Sequence, residues 1–247
     1  MEDATDAGDI MLSPATAALV DPKVLGAVKG PGRLLRAAPA VEQRDWGRSD
    51  VTGLDLVSVM PRPIADYVLG GAREGEHRRV AVAFVEYTGT DQLLADRGPQ
   101  ATAAVLHDLV SLAQEACHRS DVTFFETDIS PDGGKIMMVA GAPRSEGHNE
   151  QRLLRAARAV TEYDGPLSVR AGANAGRVFA GDFGPPYRRT YSVKGDAVNL
   201  AARVLGRAQP GQLLATTALL DGPDSGFLLT PVPAFSVRGK AKPVSAV

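Results

Sequence analysis

The segment Tyr191–Arg203 places an amide and a guanidinium on one side of a predicted helix. Asn199 and Arg203 are four residues apart, so a helix over 197–207 brings them onto one face, one turn from each other. The preceding pair Gly195-Asp196 provides a turn and an N-cap candidate. A separate face has the spacing of a buried apolar stripe and comprises Val198, Ala201, Ala202 and Leu205. Such a helix could hold an anionic or sugar-bearing ligand, or be a surface helix with two solvated polar side chains.

Composition and charge exclude several classes of protein. The net charge of -2 leaves no electrostatic footprint for nucleic acid or an anionic membrane. No apolar run approaches the roughly 18 residues of a membrane span, and the acidic N-terminus lacks the features of a signal peptide. Cys117 is the only cysteine, which excludes an internal disulfide and a cysteine-rich metal site. We therefore expect a cytosolic protein that binds neither nucleic acid nor membrane.

Apolar runs and helical spacings predict a mixed order of strands and helices, typical of an α+β sandwich. The predicted strands lie at 79–85, 122–126, 135–140, 167–172 and 177–180. The predicted helices lie at 100–117 and 150–163. The triplet Asn174–Gly176 is turn-prone, so the last two strands are predicted to pair across it.

Three motifs resemble the class III nucleotide cyclase catalytic domain. They lie in Val169–Gly184, Tyr191–Arg203 and Gln209–Leu214. The corresponding family patterns are G-x-x-x-G-x-V-x-x-G-x-x-G, Y-x-V-x-G-D-x-V-N-x-A-A-R and P-G-x-I, and their order and spacing are preserved. The resemblance covers roughly 78–247. It implies an α+β, ferredoxin-like class III nucleotide cyclase sandwich that dimerises head to tail.

The N-terminal residues repeat the C-terminal ones. Ala7–Val20 resembles Pro210–Leu220, and further on Val28–Gly32 echoes Val237–Pro243. Both copies read as a strand, a short helix and a glycine-rich basic turn. We interpret residues 1–38 as the C-terminal remnant of a first cyclase domain. Coincidence between two segments rich in small residues is the alternative.

Two further boundaries follow from composition and from the resemblance. Residues 39–77 are dense in proline and glycine, which predicts an interdomain linker with a short helix around Ile64–Leu69. Residues 78–247 are then the cyclase homology domain, the second and nearly complete copy.

The resemblance implies conversion of ATP to cAMP and pyrophosphate. A cyclase must activate the ribose 3′-hydroxyl, stabilise charge on the α-phosphate and neutralise the leaving pyrophosphate. In the family, carboxylates hold two divalent cations, Mg²⁺ or Mn²⁺, for the first and third tasks. An amide and a guanidinium from the opposite protomer serve the second. Asn199 aligns with the ribose-orienting asparagine and Arg203 with the transition-state arginine.

The metal-binding half departs from the family pattern. The first metal aspartate lies in F-x-D-I-x-G-F-T, where this chain reads Phe84–Asp91 with Glu86 in its place. The second, in K-x-x-G-D-x-x-M-x-x-F-G-A-P, aligns with Gly134, and Asp132 could replace it only in a reshaped hairpin. A glutamate displaces the ion by about one carbon–carbon bond, which octahedral magnesium tolerates poorly. Mg²⁺ or Mn²⁺ is therefore expected only if the metal site is completed.

Ser192 stands at the base-specifying position, seven residues before the asparagine. A small hydroxyl there resembles the threonine-bearing, bicarbonate-responsive adenylyl cyclases more than the guanylyl type. The expected ligand is an ATP-like nucleotide.

Three functions remain open. The domain supplies the Asn/Arg half of an adenylyl cyclase site that another cyclase domain completes. Alternatively, it is a degenerate domain that binds a nucleotide or effector, or docks as a regulatory dimerisation module, without turnover. In the third case a homodimer cyclises ATP with Glu86 and Asp132 as metal ligands. The expected partner is accordingly a second cyclase domain, either another copy or an upstream domain.

Overall fold

A computed structural model gives the structure of this chain, which divides into two compact units, Met1–Leu54 and Asp55–Val247. The structure describes residues 4–39, 52–55, 57–71, 74–185, 188–220, 226–237 and 243–247. Residues 40–51 of the predicted linker, and the basic turn at 238–242, lie outside these residues. The domain boundaries at 38 and 77 stay predictions.

The first unit contains a small antiparallel sheet and two helical turns. Its elements are β1 (Met11–Leu12), α1 (Pro14–Ala17), a 3-10 turn (Pro22–Val24), β2 (Leu25–Lys29) and β3 (Gly32–Leu35). The strand order is β1-β3-β2. Ser13 begins α1 because its side chain accepts a hydrogen bond from Thr16 N at 3.1 Å. Lys29 pairs with Asp6 at 2.7 Å and also with Asp9, which connects the end of β2 to the segment before β1.

The second unit is built on a six-stranded sheet. Its strands are β4 (Glu76–Thr88), β5 (Thr123–Ser130), β6 (Gly133–Ala140), β7 (Ser168–Phe183), β8 (Thr190–Lys194) and β9 (Leu213–Ala215). The order is β5-β6-β4-β7-β8, and β9 pairs in parallel with β7. The helices are α2 (Arg62–Leu69), α3 (Thr90–Arg119), α4 (Asn149–Thr161) and α5 (Asp196–Leu205). A two-stranded sheet of β10 (Val232–Phe235) and β11 (Val244–Ala246) follows. The predicted α+β class is confirmed.

The central strand β4 is apolar on both faces because helices cover both sides of the sheet. Alternate residues Ala81, Ala83 and Val85 pack in the cluster that contains α3 and α4. Val80 and Val82 point the other way, into the cluster that contains residues of α5 and α2. The sheet is therefore the shared wall of two cores.

The prediction of two strands at 167–172 and 177–180 is wrong. The segment forms the single strand β7, and Asn174 lies within it, opposite Val82 of β4. The Asn174 side chain is buried, where it donates to Ala197 O at 2.9 Å and accepts from Thr216 Oγ1 at 2.7 Å. Because these two hydrogen bonds satisfy its amide, Asn174 can lie in the interior of a strand, and the triplet Asn174–Gly176 forms no turn.

The helices are close to their predicted positions, with two differences. Helix α3 begins ten residues before 100, and its path is interrupted at Gly98-Pro99, where Gly98 has φ 76° and proline lacks the amide hydrogen. In α5 the buried stripe uses Val204 and Ala197, and Ala202 is exposed. None of the helices in the described ranges has the length and apolar character needed to cross a membrane.

We expect Asn174→Ala to lower the free energy of unfolding by about 2 to 4 kcal/mol. The substitution leaves a carbonyl oxygen and a hydroxyl without their hydrogen-bond partner in a buried place. Urea titration followed by circular dichroism measures the change. The exposed Gln92→Ala, which loses one surface hydrogen bond to Asp96, is the control and should cost less than about 0.5 kcal/mol. Equal losses in the two variants would contradict the structural role of Asn174.

Candidate functional site

Helix α5 lies directly on β7 because two glycines leave room for it. A Cβ at Gly172 would collide with the backbone of Leu205, and a Cβ at Gly176 would lie 2.7 Å from the Cβ of Ala197. The helix buries Ala201 between these two contacts. The glycine spacing of the first motif is therefore a packing requirement that fixes where α5 sits on the sheet.

The opposite face of α5 carries Asn199 and Arg203. They lie one helical turn apart, as predicted, because the segment between them is helical. Asn199 is exposed and Arg203 is half-buried. Within the described part of the chain, neither side chain has a hydrogen bond or an ion pair. The amide and the guanidinium are thus both available to a ligand or to another chain.

Ser192 lies on β8, opposite Gly181 of β7, three residues before the turn that leads into α5. Its neighbours Tyr191 and Val193 are buried in the core that contains α5, so Ser192 is on the other face of the strand and is half-buried. Burial raises the pKa of Tyr191 to about 12, so its ring is a neutral packing group. The Ser192 side chain therefore lies on the face of β8 away from the core that contains α5, three residues before the turn into that helix.

Glu86 is bound by cations of this chain. Arg170 of β7 lies opposite it in the sheet and donates through Nε to Glu86 Oε2 at 2.7 Å. Lys135 of β6, on the other side, lies 3.6 Å from Oε1. The Glu86 side chain is only 13% exposed, so these partners compensate a largely desolvated charge. Arg170 also donates through Nη2 to Glu86 Oε2, and a third hydrogen bond, from Nη1 to Ala208 O at 2.9 Å, holds the guanidinium in place.

Asp132 caps the beginning of α3. Its carboxylate accepts from Asp91 N at 2.8 Å and from Gly89 N at 3.1 Å. Its carbonyl oxygen also accepts from Gly89 N at 2.9 Å. These amides belong to the first turn of the helix, where free N–H groups and the helix dipole favour an anion. The turn of the β5–β6 hairpin therefore supplies the cap that α3 lacks in its own sequence.

Tyr87 fills the space beside Gly134. A Cβ placed on Gly134 would collide with the Tyr87 hydroxyl and would lie 2.7 Å from its ring carbon Cζ. The two residues face each other across β4 and β6, since Gly134 is the cross-strand partner of Tyr87. Burial raises the pKa of the Tyr87 hydroxyl above its ordinary value. The same Cβ would lie 2.7 Å from the backbone oxygen of Asp128, so a side chain at 134 requires a shift of both the tyrosine and the hairpin backbone.

These contacts do not fit a two-metal centre on this protomer. Two of the family's ligand positions hold Glu86, which is paired with two cations, and Gly134, which has no side chain. Asp132 uses both carboxylate oxygens for the helix cap. Across the described residues, no group of three or more histidine, cysteine or acidic side chains is placed to hold a metal ion. The assignment of Glu86 and Asp132 as metal ligands stays a prediction, and their contacts argue against it.

Sequence reasoning missed Arg170, Lys135 and Tyr87. The signal for the first two is the strand register, since each lies directly opposite Glu86 on a neighbouring strand. The prediction that split β7 into two strands concealed this register. For Tyr87 the signal is a pair of departures from the family motifs. The larger side chain of Tyr87 stands at the isoleucine of the first metal motif, and Gly134 stands at the aspartate of the second.

A family model for the adenylate and guanylate cyclase catalytic domain matches residues 73–246. The range contains the strands β4 to β11 and the helices α3 to α5. It covers well over half of the chain.

Curated relatives match a similar range but are much longer. The chain is 34% identical over 155 residues to the uncharacterised protein Rv1318c of Mycobacterium tuberculosis, a match that covers 60% of this chain and 28% of the relative. Rv1320c of the same organism is 34% identical over 156 residues, with 60% and 26% covered. The chain thus spans between a quarter and a third of the length of these relatives.

Solved cyclase structures share the fold. The adenylyl cyclase CyaB from P. aeruginosa superimposes with a TM-score of 0.62 at 20% identity, covering 70% of this chain and 94% of that one. The catalytic core of a rhodopsin-guanylyl cyclase with converted specificity, in complex with ATPαS, gives 0.59 at 20%, covering 70% and 96%. A non-canonical dimeric guanylyl cyclase domain of the RhoGC fusion protein from Blastocladiella emersonii gives the same four values.

We expect Asp132→Ala to lower the free energy of unfolding by about 1 to 2 kcal/mol, because the first turn of α3 loses its cap. Asp132→Asn is the matched control. Asparagine keeps one of the two acceptor oxygens and tolerates the left-handed backbone of this position, where φ is 57°, so it should lose less stability than alanine. Thermal and urea unfolding measure both variants.

The same pair distinguishes a cap from a metal ligand. Titration calorimetry with Mn²⁺ should give the same heats for the unchanged chain and for Asp132→Asn. A manganese affinity that falls at least tenfold in Asp132→Asn, while its stability stays above that of Asp132→Ala, would assign the carboxylate to a metal.

Proposed function

This chain belongs to the adenylate and guanylate cyclase catalytic domain family, and on that premise we propose that it supplies one half of a dimeric adenylyl cyclase site. The half it supplies is the α5 face with Asn199 and Arg203. A second cyclase domain with an intact metal-binding half completes the site. The complete site converts ATP to cAMP and pyrophosphate as an intracellular signal.

The observation that carries this proposal is the contrast between the two halves. Asn199 and Arg203 have no partner within the described residues and lie on an accessible helix face. In the other half, Glu86 is paired with Arg170, and Tyr87 fills the space of the missing aspartate. One half of a shared site is open and the other is occupied by side chains of the chain itself.

The chemistry of the open half suits a cyclisation. A guanidinium is permanently charged and presents several donors in one plane, which matches the oxygens of an α-phosphate as charge develops there. An amide one turn earlier can orient the ribose through its donor and acceptor groups. Because β7 holds α5 rigidly through the Gly172 and Gly176 contacts, both groups keep their relative position.

Ser192 supports ATP over GTP as the substrate. Its hydroxyl can donate and accept, and it lies close in sequence to the helix that carries Asn199. The similarity of a serine to the threonine of bicarbonate-responsive adenylyl cyclases is the basis of this choice. Competition of ATP and GTP for the completed site tests it directly.

The contacts of Glu86 and Tyr87 also favour a second function, because they leave the metal-binding half without free ligands. A degenerate cyclase domain that binds a nucleotide or effector, or docks in a regulatory dimer, needs no metal ligands at Glu86 and Gly134. This alternative gives nucleotide binding without turnover in every combination of subunits.

We expect the chain alone to form no detectable cAMP or cGMP with Mg²⁺ or Mn²⁺. Loss of a metal carboxylate removes several kcal/mol of stabilisation from the transition state, which lowers the rate by several powers of ten. Mass spectrometry of the products, with an active cyclase as a positive control, measures this. Turnover by the unchanged homodimer would support the third hypothesis instead.

The half-site is tested by complementation between two variants of this chain. The first restores the family ligands through Glu86→Asp, Tyr87→Ile and Gly134→Asp, and also carries Arg203→Ala. The tyrosine change removes the collision with Tyr87, and the remaining approach of a Cβ at 134 to the backbone oxygen of Asp128 requires a small shift of the hairpin, so folding of this variant is checked first by circular dichroism. The second component is the unchanged chain, with Arg203 intact. We expect neither to act alone, and their mixture to form cAMP from sites that combine one half of each.

Two controls make the result decisive. The metal-restored variant with Arg203 intact should be active by itself, and the exposed Arg155→Ala in place of Arg203→Ala should leave that activity unchanged. If the metal-restored variant cyclises ATP but the mixture does not, the halves do not come from different protomers and the proposal is wrong. If the restored variant is folded by circular dichroism, binds ATP and never cyclises, the degenerate function is correct.

A further inference from the structure

The first unit has the same strand arrangement as the end of the second unit. In the first unit β1 pairs antiparallel with β3, and β3 with β2. At the end of the second unit, β10 and β11 pair antiparallel, and β11 also bridges to Thr216, directly after β9. Reciprocal hydrogen bonds of 2.9 Å between Ala215 and Val247 extend that contact. The two arrangements, β1-β3-β2 and β9-β11-β10, have the same order and direction.

The backbone agrees residue by residue at the start of each copy. Gly8 and Gly211 both have a positive φ, 92° and 73°. Five residues later in each copy, Ser13 has φ -63° and ψ 158°, and Thr216 has φ -68° and ψ 152°. Each of the latter two begins a short helical turn. The sequence repeat is therefore also a repeat of conformation, which coincidence of composition does not explain.

The copies differ in what covers them. In the second unit Leu214 and Leu219 are only 2% and 3% exposed, because this segment packs on the body of the domain. At the equivalent positions of the first unit, Met11, which matches Leu214, and Leu12, which matches the buried Ala215, are only partly buried, and the neighbouring Ile10 is 58% exposed. Among the described residues of the first unit, only Gly32 is buried. The same segment thus has a core to pack on in one copy and none in the other.

The sheets of the two units differ in whether the first strand of the repeat has a neighbour on its outer side. Strand β9 pairs in parallel with β7 through the contacts Ala171 with Leu213, Gly172 with Leu214 and Ala173 with Ala215. The equivalent strand β1 is the edge strand of its sheet, and no strand of the described residues pairs with its outer side. An edge of unpaired amides and carbonyls beside exposed apolar side chains is a surface made to receive another strand.

We propose that the first unit is the C-terminal segment of a further cyclase-type domain, and that its β1 edge docks in parallel on a β7-like strand of that domain's body. By the equivalence above, Ile10, Met11 and Leu12 take the places of Leu213, Leu214 and Ala215. The body is encoded in the same reading frame, upstream of Met1. The proposal concerns a fold and does not depend on whether the second unit forms cAMP.

The test begins with the encoding gene. Its reading frame should continue upstream of Met1 into a cyclase-type body that ends with a β7-like strand. Both the 247-residue chain and the extended protein are then produced. Hydrogen exchange of the amides at 10–12 should be at least about tenfold slower in the extended protein, because a paired strand is protected and an exposed edge is not.

Substitutions at equivalent positions provide the second measurement. Ile10→Asp should leave the melting temperature of the 247-residue chain unchanged but lower that of the extended protein by roughly 4 °C or more. Leu213→Asp should destabilise both proteins. Ile129→Asp, at a position that is 90% exposed in the second unit, is the control and should change neither.

Three outcomes would overturn the proposal. The first is an upstream frame that is closed by a stop codon or encodes no cyclase-type body. The second is an extended protein whose 10–12 amides exchange as fast as in the shorter chain. The third is a homodimer of the 247-residue chain that dissociates on Ile10→Asp, because a second copy would then occupy the edge.

Discussion

The close approach of α5 to β7 is the contact on which the candidate site depends. It is possible only because Gly172 and Gly176 lack side chains where Leu205 and Ala197 of the helix touch the strand. Asn174, between the glycines, ties the first turn of the helix to the strand by a buried hydrogen bond. The position of Asn199 and Arg203 is therefore set by the packing of α5 on β7, although neither side chain has a hydrogen bond or an ion pair in the described chain.

The elements that could be predicted from the sequence are those with a local signal. The apolar run of β4 predicts a buried strand, and the spacing of apolar residues in α5 predicts a helix. The positions of Asn199 and Arg203 on one face then follow from 3.6 residues per turn. The course of β7 could not be predicted this way, because Asn174 is a turn former unless buried partners satisfy its amide. The ion pair of Glu86 depended on that missed register, since Arg170 reaches it only across paired strands.

The positions that the resemblance assigns to metal ligands are filled by contacts within this chain. Tyr87 lies against Gly134 across β4 and β6, where the family pattern has an isoleucine and an aspartate. Glu86 is paired with an arginine and a lysine. Side-chain packing and ion pairs therefore occupy the part of the sheet in which a metal site was predicted.

The interruption of α3 at Gly98-Pro99 separates two mechanical parts of the domain. The long segment after it packs Leu109 and Ala113 into the core, whereas the short segment before it is attached through Leu93 and the Asp132 cap. Because the helix is interrupted between them, the first segment takes its direction from the hairpin turn and the second from the core. A change in the hairpin turn would therefore reach the core through Leu93 before it reached the longer segment.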